Sequence, residues 1–387
     1  MSRQLSGVFP GTGRIQLTIQ HDVIADVRVV DSSTETQPDD ELLLPGLLDL
    51  QVNGYQGIDF NDDQLTTADV RAVVEGLRAV GVTGFCPTVI TGPRERMLAA
   101  VRVISSACAQ DEEAADAVLG IHLEGPWISA ADGARGAHPR DDVRAPDLAE
   151  LRELTATGDI AILTVAPELP RSAELIAAAV DAGVTVSIGH SAATPDDVRT
   201  AAAAGASLST HLGNGVPLML PRHPNLIWEQ LSDNRLACMM IADGHHLDLA
   251  TLTVMARAKG AGGWLLVSDV TAIGGMTPGR YRTPVGGLVE LDGTGRLRIV
   301  GADYLAGAAR SLLDGLAWLL QTARLPASEV VSAVSSAPAK VLGRRGGGRG
   351  ELAPGRRADL VRARWTSDKL TVLETISRGR TVWRADA

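Results

Sequence analysis

Hydrophobic runs of strand length recur along the middle of the chain, separated by Ala-rich stretches with helical periodicity. Strands of a parallel barrel are buried on both faces, so continuous apolar runs bounded by turn residues are typical of them. Their alternation with helices predicts a (β/α)8 TIM barrel, whose active site lies where the strands end. The eight predicted strands are LLDLQVNG from Leu47, GFCPTVI from Gly84, AVLGIHLEGPW from Ala117, DIAILTVAPE from Asp159, TVSIGHS from Thr185, ASLSTHLGN from Ala206, LACMMIADGHH from Leu236 and GWLLVSD from Gly263.

Both ends of the chain have a different pattern. Apolar and polar residues alternate between Arg14 and Leu44, as in RIQLTIQ and VIADVRVVD, and again in the closing segments DLVRARW, KLTVLETISRG and TVWRA. Alternation of this kind indicates half-buried strands. We therefore predict a small sheet domain formed by residues 1–44 together with 345–387, beside a catalytic barrel of residues 45–344.

Composition and charge narrow the class of protein. The 387 residues, 45% of them hydrophobic, suit a barrel of about 250 residues with a companion domain. The first residues lack the apolar centre of a secretory signal, and no run reaches the ~18 apolar residues of a membrane span, so we expect a cytoplasmic protein. A net charge of −10 argues against nucleic acid or an anionic membrane as partner and leaves a small molecule.

Residues of metal-binding type end three of the predicted strands. Glu124 ends the run in HLEGPW, and His190 and His211 hold the same place in SIGHS and STHLGN. Two imidazoles and a carboxylate are a common ligand set for a catalytic Zn²⁺ that keeps one position open for water. Each residue alone could equally cap a strand or hydrogen-bond within the core. Their shared place at one rim of the barrel predicts a site for one divalent metal ion, expected to be Zn²⁺.

The eighth strand ends in a further acidic residue, Asp269 of VSDVT. An ionised carboxylate beside an activated water can take its proton and then return that proton to a leaving group. The alternative is a structural role, in which Asp269 accepts hydrogen bonds from amides of the loop that follows. We predict that Asp269 is a general base and acid.

Two features of binuclear hydrolases are missing from the sequence, which favours one metal ion over a pair of ions joined by a bridging ligand. Where a binuclear hydrolase barrel commonly has His-x-His after strand one, this chain has Gln51-Val52-Asn53. The other usual bridge is a carbamylated lysine, but the only lysines are Lys259, Lys340 and Lys369, none of them at the end of a strand in the middle of the barrel.

These motifs together resemble the N-acetylglucosamine-6-phosphate deacetylases of the amidohydrolase superfamily. The combination of HLEGPW with GHS, THL and ADGxH is specific to that family, and the resemblance covers nearly the whole chain. It implies a barrel flanked by a small β-sandwich built from both chain ends, and deacetylation of N-acetylglucosamine 6-phosphate. The matching segments are PGLLDLQVNG, GFCPTVIT, GIHLEGPW, the Gly136-Ala137-His138 loop, LTVAPE, SIGHSAAT, THLGNGVP, IADGHHLD, VSDVTA, SSAPAKVLG and GELAPGRRADLV.

Carried over residue by residue, the resemblance implies that Glu124, His190 and His211 bind the metal ion. It also implies that Asp269 is the general base and acid. It adds His138 as the hydrogen-bond partner of the amide carbonyl oxygen, and it matches Gln51 and Asn53 to the one-metal branch of the superfamily. Asn214 and Gly215 would contact the sugar phosphate, helped by an arginine and a histidine that match Arg222 and His246. The resemblance also implies a homodimer in which that arginine can come from the neighbouring subunit.

The loop after His211 departs from the family pattern. This chain has HLGNGVPLMLPRHPN where the family commonly has HL(F/Y)NAMP followed by RxPG. Substrate contacts belong to this loop, so a related amidohydrolase acting on another N-acyl amino sugar, phosphorylated or not, or on another N-acyl compound, is the alternative. A catalytically silent sugar-phosphate binding protein is the alternative from a different class. Arg222 could also be an ordinary solvated arginine.

Overall fold

The computed structural model describes residues 2–33, 37, 39–283, 287–301, 305–366 and 369–386. In these residues the strands are β1 Ser2–Phe9, β2 Gly13–Gln20, β3 Val23–Asp31, β4 Glu41–Pro45, β5 Leu47–Val52, β6 Gly54–Tyr55, β7 Ile58–Asp59, β8 Val82–Ile90, β9 Ile121–Glu124, β10 Ile160–Val165, β11 Thr185–Ile188, β12 Leu208–Ser209, β13 Ala237–Ile241, β14 Trp264–Val267, β15 Gly279–Thr283, β16 Gly287–Leu291, β17 Leu297–Ile299, β18 Leu360–Trp365, β19 Leu370–Ser377 and β20 Arg380–Arg384. The α-helices are α1 Thr67–Arg78, α2 Arg94–Gln110, α3 Glu112–Ala117, α4 Leu148–Thr157, α5 Ser172–Asp181, α6 Pro195–Ala203, α7 Leu226–Ser232, α8 Leu249–Lys259, α9 Leu312–Thr322, α10 Ala327–Ala333 and α11 Ser336–Val341.

Eight of the described strands form the predicted barrel. Its parallel sheet has the order β5-β8-β9-β10-β11-β12-β13-β14. The sheet closes where β14 returns to β5, because Asp269 N donates to Gln51 O (3.0 Å) and Asn53 N donates to Val270 O (2.8 Å). Every residue of β8 and β10 is buried, as strands covered on both faces require. The barrel prediction is confirmed.

Helices follow the barrel strands and cover them, and their first turns explain where they begin. In a capping box the N-cap hydroxyl and the carboxylate three residues on bind each other's backbone amides, which satisfies donors that a helix start leaves free. The buried valines of α1 then recur at helical spacing, so this helix packs one face on the barrel. The boxes are formed by Thr66 with Asp69, Thr194 with Asp197 and Ser311 with Asp314.

Strands from both ends of the chain share a second sheet. Its order in the described residues is β20-β19-β18-β4-β1-β2-β3, with β4 antiparallel to β18 and parallel to β1. A companion sheet built from both termini is therefore confirmed, while the predicted division at residues 44/45 and 344/345 stays a prediction. The strand β1 was not predicted, because SRQLSGVF mixes Ser, Gln and Gly with few apolar residues.

Ion pairs around Asp116 hold this sheet against the barrel. Asp116, in α3, accepts hydrogen bonds from Ser377 Oγ (3.0 Å) and forms ion pairs with Arg378 (2.9 Å) and Arg357. Arg357 also pairs with Asp359 at 2.8 Å. Because these groups come from a barrel helix and from the C-terminal strands, the network fixes the two parts relative to each other.

A third sheet, β15-β16-β17, lies between β14 and α9 and was also not predicted. Its strands are short, and GRYRT has no buried residue, so alternation gave no signal there. A small apolar cluster under it includes Ile273, Val289 and Leu297. Within the described part of the chain no helix combines the length and apolarity that crossing a bilayer requires.

Candidate active site

Three buried side chains converge at the carboxyl ends of β9, β11 and β12. Glu124 Oε1 lies 3.0 Å from His190 Nε2 and 3.1 Å from His211 Nε2, and the two Nε2 atoms are 3.1 Å apart. Burial opposes the charge of Glu124, but hydrogen bonds with both histidines hold the pKa of its carboxyl well below the usual range. The strand ends thus bring together the three residues that the sequence placed at one rim.

This donor set fits a divalent metal ion. Ligands of a tetrahedral Zn²⁺ stand ~2.0–2.2 Å from it and hence about 3.4 Å from one another. The three atoms are slightly closer than that, and they are the one group of three such residues that could hold an ion in the described chain. Both histidines face Glu124 with their Nε2 atoms. Nδ1 of His190 is held by the carbonyl of Ala134 at 2.9 Å, the outer hydrogen bond that metal-binding histidines usually make.

The backbone at the site is strained. His190, His211 and Asp269 have φ angles of 48°, 27° and 52°, in the left-handed region that L residues avoid. Such conformations cost about 1–3 kcal/mol each and cluster at functional sites. Each of the three lies two residues after the last residue of a short barrel strand, where the strained backbone turns its side chain into the mouth of the barrel.

Asp269 is held by both amides of the Gln51-Val52-Asn53 segment. Gln51 Nε2 donates to Asp269 Oδ1 (3.0 Å) and to Glu124 Oε1 (2.9 Å), and Asn53 Nδ2 donates to Asp269 Oδ1 (2.8 Å). Burial and the negative charge of Glu124 raise the pKa of Asp269 to about 6, against the hydrogen bond of Asn53. A carboxyl of this pKa can change its protonation state near neutral pH.

His138 lies beside His190 at the edge of the cluster. Its Nε2 lies 3.2 Å from His190 Nε2, and its Nδ1 lies 2.9 Å from Thr91 Oγ1. Arg135 donates to the carbonyl oxygen of His138 at 2.6 Å and fixes the loop. Burial and the neighbouring His190 hold the pKa of His138 well below its usual range, so its imidazole is uncharged.

Of the residues that the resemblance assigns to the sugar phosphate, some lie near the cluster of Glu124, His190 and His211 and others do not. Gly215 packs against the rings of His190 and His211, and Asn214 Nδ2 is buried with no partner among the described residues. His246 lies close enough to Asp269 to lower its pKa. Arg222 is exposed and is not brought to the cluster by any described contact.

Two residues of the site were missed in the sequence. Asp243 accepts from His246 Nδ1 (2.7 Å) and from the amides of His245 and His246 (both 2.8 Å), and these bonds orient His246. Burial alone would raise the pKa of Asp243, but His246 lowers it to about 2. Thr91 is the other residue. Both lie inside matched segments, IADGHHLD and GFCPTVIT, and that was the available signal.

Comparison with known proteins agrees with this geometry. The sequence model of the amidohydrolase family matches residues 42–382. The chain is 35% identical over 356 residues to the human N-acetylglucosamine-6-phosphate deacetylase, which covers 89% of this chain and 84% of the human protein. It is 32% identical over 351 residues to the N-acetylgalactosamine-6-phosphate deacetylase of Escherichia coli O157:H7, covering 89% of both.

Solved structures of similar sequence have the same architecture. An N-acetyl-D-glucosamine-6-phosphate deacetylase variant from Mycobacterium smegmatis, in complex with N-acetyl-D-glucosamine-6-phosphate, superposes with a TM-score of 0.85 at 28% identity, covering 99% of each chain. The N-acetylglucosamine-6-phosphate deacetylase of Thermotoga maritima gives 0.84 at 27% identity, covering 100% of each.

Proposed function

Because this chain belongs to the amidohydrolase family, and within it to the N-acetylglucosamine-6-phosphate deacetylases, we propose that it hydrolyses N-acetylglucosamine 6-phosphate to glucosamine 6-phosphate and acetate. The observation that carries the proposal is the convergence of Glu124, His190 and His211 beside a carboxylate of raised pKa, Asp269. That arrangement suits hydrolysis of an amide by an activated water. Residence in the cytoplasm is part of the proposal.

Glu124, His190 and His211 would hold one divalent ion, for which we propose Zn²⁺. When bound, such an ion lowers the pKa of a water molecule and polarises the amide carbonyl. Gln51 supports this role from outside the triad, since it donates to Glu124 and Asp269 at once and keeps the two carboxylates at a fixed separation. The amides at positions 51 and 53 supply neither an imidazole nor a carboxylate for a second ion.

Asp269 is proposed to carry the proton through the reaction. Its ionised carboxylate takes a proton from the attacking water, whose oxygen forms a bond to the carbonyl carbon. The same proton then passes to the amide nitrogen as the carbon–nitrogen bond breaks, which releases the amino sugar and acetate. Asn53 and Gln51 orient the carboxylate without protonating it, because amide groups are not acids in this range.

His138 is proposed to donate a hydrogen bond from Nε2 to the carbonyl oxygen. Negative charge develops on that oxygen as water adds, and a donor already in place stabilises it without having to reorganise. The lowered pKa of His138 supports a hydrogen-bond role over proton transfer, since the imidazole is uncharged.

The phosphate end of the substrate is assigned to Asn214, Gly215, His246 and Arg222. Asp243 supports His246 in this role, since it fixes the ring through Nδ1, and Nε2 has no hydrogen-bond partner among the described residues and can meet the phosphate. Arg222 is exposed in its own subunit. The assignment to the phosphate therefore places it at the neighbouring site of a homodimer.

The experiment is acetate release by zinc-loaded protein from N-acetylglucosamine 6-phosphate and N-acetylglucosamine, side by side. We expect turnover of the phosphorylated sugar and a loss of at least ~1,000-fold in the Asp269→Asn variant with its metal content unchanged. Loss of metal in that variant would make Asp269 a ligand instead. No turnover of any N-acyl sugar, together with tight sugar-phosphate binding, would favour the silent binding protein.

N-acetylgalactosamine 6-phosphate is a second candidate substrate, because the Escherichia coli relative that is 32% identical bears that name. The two sugars differ only at one hydroxyl, and the loop after His211, where contacts to the substrate are expected, departs from the common pattern. The ratio of kcat/KM for the two phosphorylated sugars decides between them.

A further inference from the structure

The hydroxyl of Thr91 lies against His138, at the point where β8 enters the site. Thr91 follows the last residue of β8, and both side chains are buried. We propose that Thr91 is a positioning residue whose hydroxyl donates to Nδ1 of His138 and so fixes the tautomer that carries its proton on Nε2. This inference rests on the proposed function, in which the Nε2 proton of His138 meets the carbonyl oxygen.

The surroundings confine the Thr91 hydroxyl to this position. Its main chain is held because Thr91 N donates to Glu124 O (2.9 Å) and Arg96 Nη2 donates to Thr91 O (2.8 Å). Gly125, with φ +90°, faces the hydroxyl, and a Cβ at Gly125 would lie 2.2 Å from Thr91 Oγ1. The glycine of HLEGPW therefore leaves the space that Thr91 Oγ1 occupies.

The direction of this hydrogen bond is assigned from the contacts at both ends of the His138 ring. A hydroxyl has one hydrogen, and two acceptors lie near it: His138 Nδ1 at 2.9 Å and Glu124 O at 3.3 Å. The contact to Nδ1 is the shorter of the two and takes the hydroxyl hydrogen. The other end of the ring agrees: His190 donates from Nδ1 to Ala134 O (2.9 Å), so His190 Nε2 has only a lone pair, and its 3.2 Å contact with His138 Nε2 is a hydrogen bond when His138 Nε2 carries the proton. Nδ1 is then a lone-pair acceptor, and the proton of the uncharged ring is on Nε2.

The opposite tautomer would present a lone pair to the substrate. With the proton on Nδ1, the Nε2 atom and the carbonyl oxygen would both be acceptors, and the negative charge developing in the transition state would be repelled. Without the Thr91 hydroxyl, no hydrogen bond at Nδ1 selects one tautomer of His138, so both tautomers are populated. The effect falls on kcat, because the bond to His138 strengthens only as charge develops.

The kinetic test compares Thr91→Val, which keeps the shape and removes the hydroxyl, with Thr91→Ser, which keeps the hydroxyl. We expect kcat to fall about 10- to 100-fold in Thr91→Val with KM within about threefold, and Thr91→Ser to recover to within about threefold of wild type. The matched control is Thr83→Val at the other end of β8, where the buried hydroxyl makes one long hydrogen bond among the described residues, to Leu47 O at 3.5 Å. Equal kcat in Thr91→Val and wild type, or a Ser variant no better than Val, overturns the proposal.

Nitrogen NMR of histidine-labelled, zinc-loaded protein tests the tautomer without turnover. The chain has eight histidines, and the signal of His138 is identified by its absence from His138→Gln. We expect a protonated Nε2 in wild type and a shift toward protonated Nδ1 in Thr91→Val. A proton on Nδ1 in wild type overturns the proposal. If wild type deacetylates neither phosphorylated sugar, the proposed function fails, while this spectrum still decides the role of Thr91.

Discussion

The groups around Asp269 shift its pKa in opposite directions. Burial and the nearby charge of Glu124 favour its protonated form, while His211, His246 and the amide of Asn53 favour the ionised form. The resulting pKa of about 6 lets one group serve as base and then as acid. A surface aspartate of ordinary pKa would be a weaker base and would take the proton from water less readily.

This balance predicts the pH dependence of kcat. Because the ionised form takes the proton from water, kcat at saturating substrate should fall as pH drops through an inflection at or below about 6; a bound cation can only move it lower. Asn53→Leu removes a donor that stabilises the ionised form, so its inflection should move upward. Stopped assays of acetate between pH 4.5 and 8.5 measure both. A flat wild-type profile, or a downward shift in Asn53→Leu, would contradict the assignment.

At the scale of elements, the connection after β12 packs closely against the histidines of the site. It turns through His211, Gly213 and Gly215, all with positive φ. A Cβ at Gly215 would lie 3.0 Å from His190 Nδ1 and 3.2 Å from His211 Cε1. The glycine thus lets the connection pack directly on two proposed metal ligands, and any larger residue must displace a ring.

We predict that Gly215→Ala weakens metal binding at least ~10-fold, because the displaced imidazoles of His190 and His211 no longer direct their Nε2 atoms at one metal position. Zinc content after dialysis against a competing chelator gives the measurement. Gly183→Ala is the matched control, because Gly183 also has a positive φ, +79°, but has open space where a Cβ would be. Equal zinc retention in the two variants would show that Gly215 matters only for backbone conformation.

The elements also show what the sequence could predict. All eight barrel strands follow from apolar runs, and three of these runs lead into Glu124, His190 and His211, because a buried parallel strand has a local signature. The roles of Thr91 and Asp243 depend on what lies across the barrel or loop, which no local pattern records. The strands β1 and β15–β17 were missed because pairing partners, not apolar alternation, stabilise them.

For the whole molecule, the triad joins three separate parts of the barrel, so an ion bound there should stabilise the entire fold. Binding to the folded state alone adds RT ln(1 + [L]/Kd), about 4 kcal/mol at a thousandfold excess over Kd. We predict that chelator-treated protein melts several degrees lower and that Zn²⁺ restores the loss. Calorimetry measures the shift. Glu124→Gln should show a much smaller shift, and an equal one would place the binding elsewhere.

Subunit association can be tested through Arg222. Leu218 and Met219, close to it in the same loop, are 76% and 87% exposed, an apolar patch that a second copy of the chain could cover. If Arg222 acts across a dimer, mixing the inactive variants Arg222→Ala and Asp269→Asn should restore about a quarter of the sites after random subunit exchange. A mixture of Arg222→Ala with the double variant should restore none. No recovery from either mixture of exchanging dimers would place Arg222 in its own subunit's site.

The sheet built from both termini has a consequence for synthesis on the ribosome. The edge of β4 pairs with β18, which emerges only after the complete barrel has been translated. Until then the nascent chain carries an open strand edge, of the kind that pairs with other chains when left exposed. Chains that end before β18 would therefore have a formed barrel beside an unpaired, aggregation-prone strand edge. The strands translated last are the ones that pair with the N-terminal strands and cover that edge.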